Sequence, residues 1–167
     1  MRMKWMSIMN PKSSNKMSIQ LLDKKLSDES IAKDLYQITN SGFQGHSPWQ
    51  MVHILNTIKA KNALVLIASY AGEKVGFIAA AETPYEIDIF LVVVAAAYKK
   101  KNIGTKLFKS LFDYGQTKNI EAITLETRSS NIPALTLYEK MGFKKVGERK
   151  AYYNKPVEDA VIMKREL

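Results

Sequence analysis

The sequence contains no cysteine and only two histidines, His46 and His53. The absence of cysteine excludes a disulfide framework, a cysteine-based zinc site and a thiol nucleophile. Two histidines are too few for a multi-histidine metal centre, so no metal site is predicted. Both lie around a predicted loop-to-helix boundary and are interpreted as structural. Any catalysis must therefore use other groups.

Long hydrophobic runs are also missing. The longest, residues 89–98, has ten residues, whereas a membrane-spanning helix needs roughly 20. Residues 1–9 contain Arg2 and Lys4 but no sustained apolar segment or small-residue cleavage site, as a secretory signal would have. With only 8 glycines and 5 prolines, collagen-like and low-complexity classes are excluded as well. We expect a cytoplasmic protein that does not enter a membrane.

Acidic residues are scarce relative to basic ones. The 167 residues include 16 Asp plus Glu against 25 Lys plus Arg, a net charge of +9, and 46% are hydrophobic. This length and composition predict one globular domain. The basic surface should attract anions such as nucleic acid, nucleotide phosphates or acidic protein, and charge alone does not choose among them.

Hydrophobic periodicity predicts an α/β (α+β) fold with a mixed central sheet of about seven strands and about four flanking helices. The predicted element order is β-α-α-β-β-β-α-β-α-β-β. Residues 1–16 follow no sustained period and are predicted to be a flexible extension, which leaves a single domain over 17–167. The predicted strands are 19–22, 63–70, 75–81, 87–94, 122–127, 143–150 and 160–164. The predicted helices run from a Ser27 cap to about 40, from a capping box at Ser47 with Pro48 as the first helical residue, from 103 to about 116–119 and over 133–141.

A short basic loop joins the buried strand that ends at Val94 to the helix that begins near Ile103. The free amides and the dipole of a helix N-terminus favour a bound anion. A run of three lysines also suits a solvated turn, but the preceding strand and the small residues Gly104 and Thr105 favour a phosphate-binding loop.

This loop resembles the pyrophosphate loop of the GNAT acetyltransferase superfamily, Gln/Arg-x-x-Gly-x-Gly/Ala. Lys99 stands at the usual Gln or Arg, and Asn102 stands at the first glycine. Asparagine tolerates positive φ, so the loop shape is retained. The resemblance implies acetyl-CoA as cofactor, with the pyrophosphate on this loop and the pantetheine arm beside the strand. The implied cofactor-binding residues are Val92, Val94, Lys99, Lys100, Lys101, Asn102, Gly104 and Thr105.

A second segment is similar to the RimI and archaeal N-terminal acetyltransferase branch of that superfamily. Residues 125–134 read Leu-Glu-Thr-Arg-Ser-Ser-Asn-Ile-Pro-Ala and residues 137–143 read Leu-Tyr-Glu-Lys-Met-Gly-Phe. The branch has Leu-Glu-Val-Arg-x-Ser-Asn-x-x-Ala and Leu-Tyr-Glu-x-Leu-Gly-Phe. Tyr-Tyr at 152–153 and Glu-Asp-Ala-Val-Ile-Met at 158–163 extend the resemblance, which covers roughly residues 19–165.

Acetyl transfer from a thioester to an amine needs a base, an oxyanion donor and a proton source for the departing thiolate. Glu126 is the candidate base, and the alternative is that it forms a surface ion pair. Tyr138 is the candidate acid, and the alternative is that it is an aromatic residue of the core. Asn131 either contacts the cofactor, as the resemblance implies, or only caps a helix. The family analogy makes the Val94 amide the oxyanion donor. Without cysteine, we expect direct transfer in a ternary complex.

The resemblance implies that a peptide N-terminus lies between Phe43, Pro48 and Trp49 on one side and Tyr152 and Tyr153 on the other. Trp49 also suits packing between helix and sheet. Asp88 is interpreted as a surface acid at a strand end, with a place beside the amine as the alternative.

Three functions remain open at this point. The first is acetylation of a protein N-terminus, for which a ribosomal protein is one candidate substrate. The second is acetylation of a small amine such as a polyamine or antibiotic, and the third is a non-catalytic CoA- or nucleic-acid-binding module. The aromatic residues and basic surface favour the first, since a cationic small amine would favour an acidic pocket. Nucleic acid would then be contacted only indirectly, at the ribosome, by a monomer or homodimer.

Overall fold

The computed structural model describes residues 16–167, so the predicted extension, apart from Lys16, lies outside the described residues. Seven strands form one mixed sheet in this part of the chain, and four α-helices pack against it, in the predicted order. The elements are β1 (Met17–Leu21), α1 (Glu29–Gly42), α2 (Met51–Lys59), β2 (Ala63–Tyr70), β3 (Glu73–Glu82), β4 (Glu86–Val94), α3 (Ile103–Thr117), β5 (Ala122–Arg128), α4 (Ile132–Lys140), β6 (Lys144–Tyr153) and β7 (Glu158–Glu166).

The strand order in the sheet is β1-β2-β3-β4-β5-β7-β6, which puts β4 at the centre as predicted. Ala71 and Gly72, with φ of 50° and 84°, form the tight turn of the predicted β2–β3 hairpin. The parallel pair β4–β5 needs a crossover, and α3 provides it. All other neighbouring strands pair antiparallel.

The two faces of the sheet carry separate cores. Helices α3 and α4 cover one face, where Phe108 packs between Tyr138 and Phe143 with ring centroids 5.7 and 5.5 Å away. Helices α1 and α2 cover the other face through Leu35 and Ile54. Successive residues of a strand point to opposite faces, so each face receives alternate side chains from the central strands.

The sheet divides at its centre. Leu91 pairs with Ala79 and Ile89 with Ala80, so Phe90 forms a bulge in β4. The parallel β4–β5 ladder runs only from Glu86↔Ala122 to Ile89↔Leu125. Beyond that point the edges of β4 and β5 face each other without pairing. We call this gap, between residues 90–94 and 126–128, the fork.

Two predicted helix starts were wrong. Helix α2 begins at Met51 rather than at 47, because Ser47 Oγ accepts a hydrogen bond from Trp49 N at 3.0 Å and closes a local turn instead. His53 Nδ1 accepts from Gln50 N at 3.1 Å at the true start, a structural role as expected. Helix α1 is capped by Asp28, which accepts from Ile31 N, and not by the preceding serine.

Strand and helix ends also extend one to three residues beyond several predicted limits, most of all in the last two strands. Among the described residues, no helix combines the length and the apolar character needed to cross a membrane.

Candidate active site

The β4 edge of the fork presents backbone groups. Ala95 N donates to Val75 O at 2.8 Å, toward β3. Because amide direction alternates along an extended strand, the N–H groups of Val94 and Val92 point the other way, into the fork. Both residues are partly buried, with side chains packed against the core under α3. The fork thus has a strand edge available for hydrogen bonding.

The loop after β4 has the shape of an anion cradle. Asn102 adopts the left-handed conformation with φ 60° and ψ 19°, as its residue type predicted, and immediately precedes α3. Among the described residues, no acceptor pairs with the backbone amides of Lys101, Asn102, Gly104 or Thr105. A Cβ on Gly104 would lie 3.2 Å from Leu137 Cδ2, so glycine lets α4 approach the first turn of α3 closely.

The three lysines of this loop diverge. Lys99 Nζ donates to Gly42 O at 2.6 Å and ties the loop to the end of α1. Lys101 Nζ lies 5.0 Å from the centre of the Tyr98 ring. Lys100 is exposed and has φ of 60°. The loop therefore offers its amides more directly than its lysine side chains.

Glu126 lies on β5 directly after the last β4–β5 pair, where the fork begins. Its side chain projects on the same face as Thr124, the face that α1 and α2 cover. Arg149 Nε donates to Glu126 Oε1 at 2.8 Å, and the Glu126 side chain is 27% exposed. The surface ion pair considered from the sequence thus exists, at a position that also borders the fork.

Tyr138 lies in α4, on the other face of the sheet. Its ring is buried in the core under α3, and its centroid lies 5.7 Å from that of Phe108 and 6.1 Å from that of Phe143, the residue before β6. Burial, with a smaller effect of nearby Tyr153, raises the pKa of Tyr138 to about 12. Its hydroxyl is not among the buried polar atoms that lack a hydrogen-bond partner in the described part of the chain. A neutral phenol is therefore available to donate a proton.

Tyr152 and Tyr153 project from an irregular segment of β6. Arg149 pairs with Ala160 but Tyr153 pairs with Glu158, so the residues between them bulge out of the ladder. The two tyrosine rings pack edge to face, 5.1 Å apart. Burial raises the pKa of Tyr153, and the negative charge of Glu126 raises it further.

Asp159 holds this bulge in place. It accepts hydrogen bonds from Ala151 N and from Lys150 Nζ, both at 2.8 Å. The guanidinium of Arg128 lies 4.3 Å from the centre of the Tyr153 ring and forms an ion pair with Glu158 at 3.2 Å. The tyrosine pair is thus fixed relative to the end of β5.

The other predicted substrate residues lie near the helices α1 and α2. Phe43 and Trp49 pack against the core on that face, and Trp49 also packs edge to face with His53 at 6.4 Å. Pro48 and Trp49 line a cavity of about 400 Å³ with His53, Asn56 and Thr57. The described contacts do not join this group to Tyr152 and Tyr153. Asn131 caps α4, accepting from Ala134 N at 3.4 Å.

The family model described as "Acetyltransferase (GNAT) family" matches residues 32–143. The chain belongs to this family. The match begins in α1 and runs past α4, so it includes the fork, the cradle loop, Glu126 and Tyr138. This GNAT chain is accordingly an acyltransferase that uses acetyl-CoA, as the sequence resemblance predicted.

Individual relatives of this GNAT chain agree with the predicted branch. The chain is 29% identical to "N-alpha-acetyltransferase RimI" of Mycobacterium tuberculosis over 128 residues, 74% of this chain and 79% of that one. It is 44% identical to an "N-alpha-acetyltransferase" of Saccharolobus solfataricus over 77 residues, 46% of each chain. A longer relative from Mycobacterium leprae is matched over only 36% of its length. The chain thus spans less than half the length of some curated relatives it matches.

The fold of this GNAT chain is also found among solved structures. The crystal structure of the ribosomal-protein-S18-alanine N-acetyltransferase from Escherichia coli superposes with a TM-score of 0.80 at 24% identity. The superposition covers 90% of this chain and 94% of that one. At this level of identity the likeness establishes the fold, and the predicted mixed sheet with flanking helices is confirmed.

The residues of this GNAT chain fit acetyl-CoA. The unpaired loop amides and the left-handed Asn102 suit an anionic pyrophosphate. The open β4 edge suits a chain of amide groups such as pantetheine. Sequence reasoning missed Arg149 as the partner of Glu126 and Asp159 as the clamp of the bulge, because neither contact is signalled by a local motif.

Proposed function

We propose that this acetyltransferase transfers the acetyl group of acetyl-CoA to the α-amino group of a peptide or protein N-terminus, directly in a ternary complex. The observation that carries the proposal is the link that Arg149 makes between Glu126 and the Tyr152–Tyr153 pair. Its Nε donates to Glu126 Oε1 at 2.8 Å, and its guanidinium lies 5.5 Å from the centre of the Tyr152 ring. Aromatic rings with hydroxyl groups suit an extended peptide backbone. The relatives named N-alpha-acetyltransferase support the same substrate class.

The charge around the fork supports a peptide over a polyamine. Among the described residues, the carboxylates of Glu86, Glu126, Glu158 and Asp159 each form an ion pair with a lysine or arginine, and Asp88 accepts a hydrogen bond from Thr124 Oγ1. A polycationic substrate needs carboxylates that are free to bind it. An N-terminus carries a single positive charge and needs far less compensation.

The chemistry can be assigned to residues of the chain. Acetyl-CoA supplies the acetyl group as a thioester. Glu126, directly or through a water molecule, accepts a proton from the substrate nitrogen, and Tyr138 donates a proton from its phenol. The N–H of Val94 stabilises the oxyanion by hydrogen bonding. In the overall reaction a C–N bond forms, the C–S bond breaks, and the nitrogen of the ammonium loses two protons, one to sulfur and one to solvent.

The remaining residues bind the two substrates. We assign the pyrophosphate to the loop formed by Lys99, Lys100, Lys101, Asn102, Gly104 and Thr105, the pantetheine arm to Val92 and Val94, and a further cofactor contact to Asn131. The peptide is assigned to Phe43, Trp49, Tyr152 and Tyr153. A ribosomal protein is one candidate acceptor, and the basic surface would then favour a salt-sensitive approach to the ribosome.

The test is to incubate the purified protein with acetyl-CoA and peptides that differ in their first two residues, alongside spermidine and free lysine. We expect transfer to the α-amine of a subset of the peptides. Acetylation of spermidine or lysine side chains alone would overturn the proposal, and a stable acetyl-enzyme in burst kinetics would overturn direct transfer.

The base is tested in the same assay. Glu126→Gln should lower kcat by roughly 10²-fold or more, as expected for loss of a general base. Glu121→Gln, just before the same strand, removes an equal charge away from the fork and should leave kcat unchanged. An effect of Glu126→Gln below about threefold would remove this residue from its role.

A further inference from the structure

The last turn of α1 lies directly against the end of β4. A Cβ on Gly42, the last residue of α1, would overlap the side chain of Val93 and would lie 2.8 Å from Val94 O. Only glycine fits at this position without displacing β4. Val94 is the residue whose N–H is assigned to the oxyanion, so the end of α1 contacts the backbone of the candidate site.

Two hydrogen bonds join this helix end to the segment that leads from β4 into the cradle loop. Ser41 Oγ accepts from Ala96 N at 3.0 Å, and Lys99 Nζ donates to Gly42 O at 2.6 Å. The end of α1 is therefore held to the start of the cradle loop at two points. We call this pair of hydrogen bonds the latch.

Lys99 supplies a positive charge that the end of α1 lacks. The last turn of α1, residues 39–42, contains no basic residue. The free carbonyl groups and the dipole of a helix C-terminus favour a cation there. The Lys99 ammonium meets this need from another element, so its side chain serves α1 while the unpaired loop amides remain for the pyrophosphate.

The latch ends beside a residue that is assigned to the acceptor. Phe43 directly follows Gly42, donates from its backbone N–H to Thr39 O and Ser41 O, and packs against the core. The chain then turns through Gln44 and Gly45, whose φ angles are 54° and 80°. The position of the α1 end therefore sets the position of Phe43.

We propose that Lys99 is a positioning residue for the acceptor, which acts through Gly42 rather than on the pyrophosphate, and that the latch couples the binding of CoA and peptide. This inference rests on the proposed function. A pyrophosphate bound by the loop amides restrains the cradle loop, and the latch passes this restraint to the end of α1 and to Phe43. The peptide then binds a surface that is already ordered and loses less conformational freedom.

The coupling is measured by calorimetry with CoA, which carries no acetyl group to transfer. Its dissociation constant is determined alone and with a saturating peptide that the wild type acetylates. We expect the peptide to lower this constant about fivefold in wild type, and CoA strengthens peptide binding by the same factor. Lys99→Met keeps the length of the side chain but lacks the ammonium, and it should reduce the factor to less than about twofold.

The same variant distinguishes a positioning residue from a phosphate ligand. In Lys99→Met the dissociation constant of CoA alone should stay within about twofold of wild type. At saturating acetyl-CoA the KM for the peptide should rise about fivefold, while kcat changes by less than about twofold. A lysine that binds the pyrophosphate would instead weaken CoA binding and leave the coupling factor unchanged.

Three further variants serve as controls. Ser41→Ala removes the other bond of the latch and should also reduce the coupling factor. Lys99→Arg retains a cationic donor for Gly42 O and should keep a factor of at least about threefold. Lys109→Met removes an exposed lysine further along α3 and should leave the factor within about twofold of wild type. A wild type without coupling, a factor that Lys99→Met leaves unchanged, or an equal loss in Lys109→Met would overturn the proposal.

The outcome for the proposed function is distinguishable. If the wild type acetylates only spermidine or lysine, the peptide proposal fails, and the coupling factor measured with that amine still decides on the latch. If no amine is acetylated, both proposals fail.

Discussion

Arg149 Nε donates a hydrogen bond to Glu126 Oε1 over 2.8 Å, although β7 lies between the strands that carry the two residues. The arginine side chain therefore crosses β7 to reach Glu126, where the fork begins. Its guanidinium also lies 5.5 Å from the centre of the Tyr152 ring. One side chain thus connects the proposed base to the aromatic pair proposed to hold the peptide.

Loss of this arginine should affect catalysis more than stability. Arg149→Ala should lower kcat about three- to tenfold because Glu126 loses the partner that fixes its position. The pair is partly exposed, so it contributes less than about 1 kcal/mol to the free energy of unfolding. Steady-state kinetics and thermal denaturation measure the two effects. Lys145→Ala, which breaks a pair with Glu148 on the same strand, is the control, and an equal loss of kcat there would contradict the prediction.

Tyr138→Phe should lower kcat by roughly 10²-fold, because the variant retains the buried ring but lacks the proton donor. The dissociation constant of CoA should not change. Tyr114→Phe removes a phenol that hydrogen-bonds Glu82 away from the fork and should leave kcat unaffected. If the two variants lose the same activity, the hydroxyl of Tyr138 has no special part in the reaction.

The raised pKa of Tyr138 also predicts a dependence of stability on alkaline pH. Its pKa is raised to about 12 in the folded protein, whereas an unfolded tyrosine ionises near about 10. The neutral phenol therefore makes its full contribution to the free energy of unfolding below a pH of about 10. This contribution is lost as the pH rises to about 12. Between these values the free energy of unfolding of wild type should fall more steeply than that of Tyr138→Phe. The free energies of unfolding are measured by denaturant titration at each pH. The same decrease with pH in wild type and Tyr138→Phe would contradict the prediction.

Substitutions at Asn102 test whether CoA binding depends on the shape of the cradle loop. Asn102→Gly should preserve CoA binding, because glycine adopts φ of 60° without strain. Asn102→Ala should destabilise the protein by about 1 kcal/mol and raise the dissociation constant of CoA several-fold, since alanine is disfavoured in this conformation. Calorimetry with CoA and thermal denaturation provide the measurements. Equal affinity in the two variants would show that the loop shape does not depend on this residue.

A substitution at Asp159 tests whether peptide binding depends on the bulge that carries Tyr152 and Tyr153. Asp159→Ala frees both Ala151 N and Lys150, so Tyr152 and Tyr153 lose their fixed position. The KM for the peptide should rise about tenfold while the KM for acetyl-CoA stays within about twofold of wild type. Glu148→Gln removes the other carboxylate on Lys150 but leaves Ala151 bound, and it should change neither constant. A rise in both KM values in Asp159→Ala would point to a general loss of structure.

Local patterns were enough to predict the elements and much of the cradle. The helical spacing of Ile103, Leu107 and Leu111 and the residue type of Asn102 each specify a conformation within a few residues. The structure agrees with both. The Ser47-Pro48 signal failed because a serine can also close a turn with the next amides, and local sequence does not decide between the two uses.

The contacts that shape the candidate site join residues that are far apart in the sequence. The fork depends on the bulge at Phe90 and on where β4 and β5 stop pairing, which follows from packing across the whole sheet. Glu126 and Arg149 are 23 positions apart and are joined across a third strand. From the sequence, Asp88 is interpreted as a surface acid at a strand end, with a place beside the amine as the alternative. Its hydrogen bond with Thr124 is not signalled, because Thr124 comes from another strand.

The fork has a mechanical consequence. In the described part of the chain, the backbone ladder between the strands β1–β4 and the strands β5–β7–β6 has only four residue pairs. Side-chain bonds from Thr124 to Asp88 and from Lys164 to Glu86, and the core under α3, also join the two halves of the sheet. A molecule bound in the fork would connect the two halves where the ladder does not. Its binding should slow hydrogen exchange in both halves together, including in strands that it never touches.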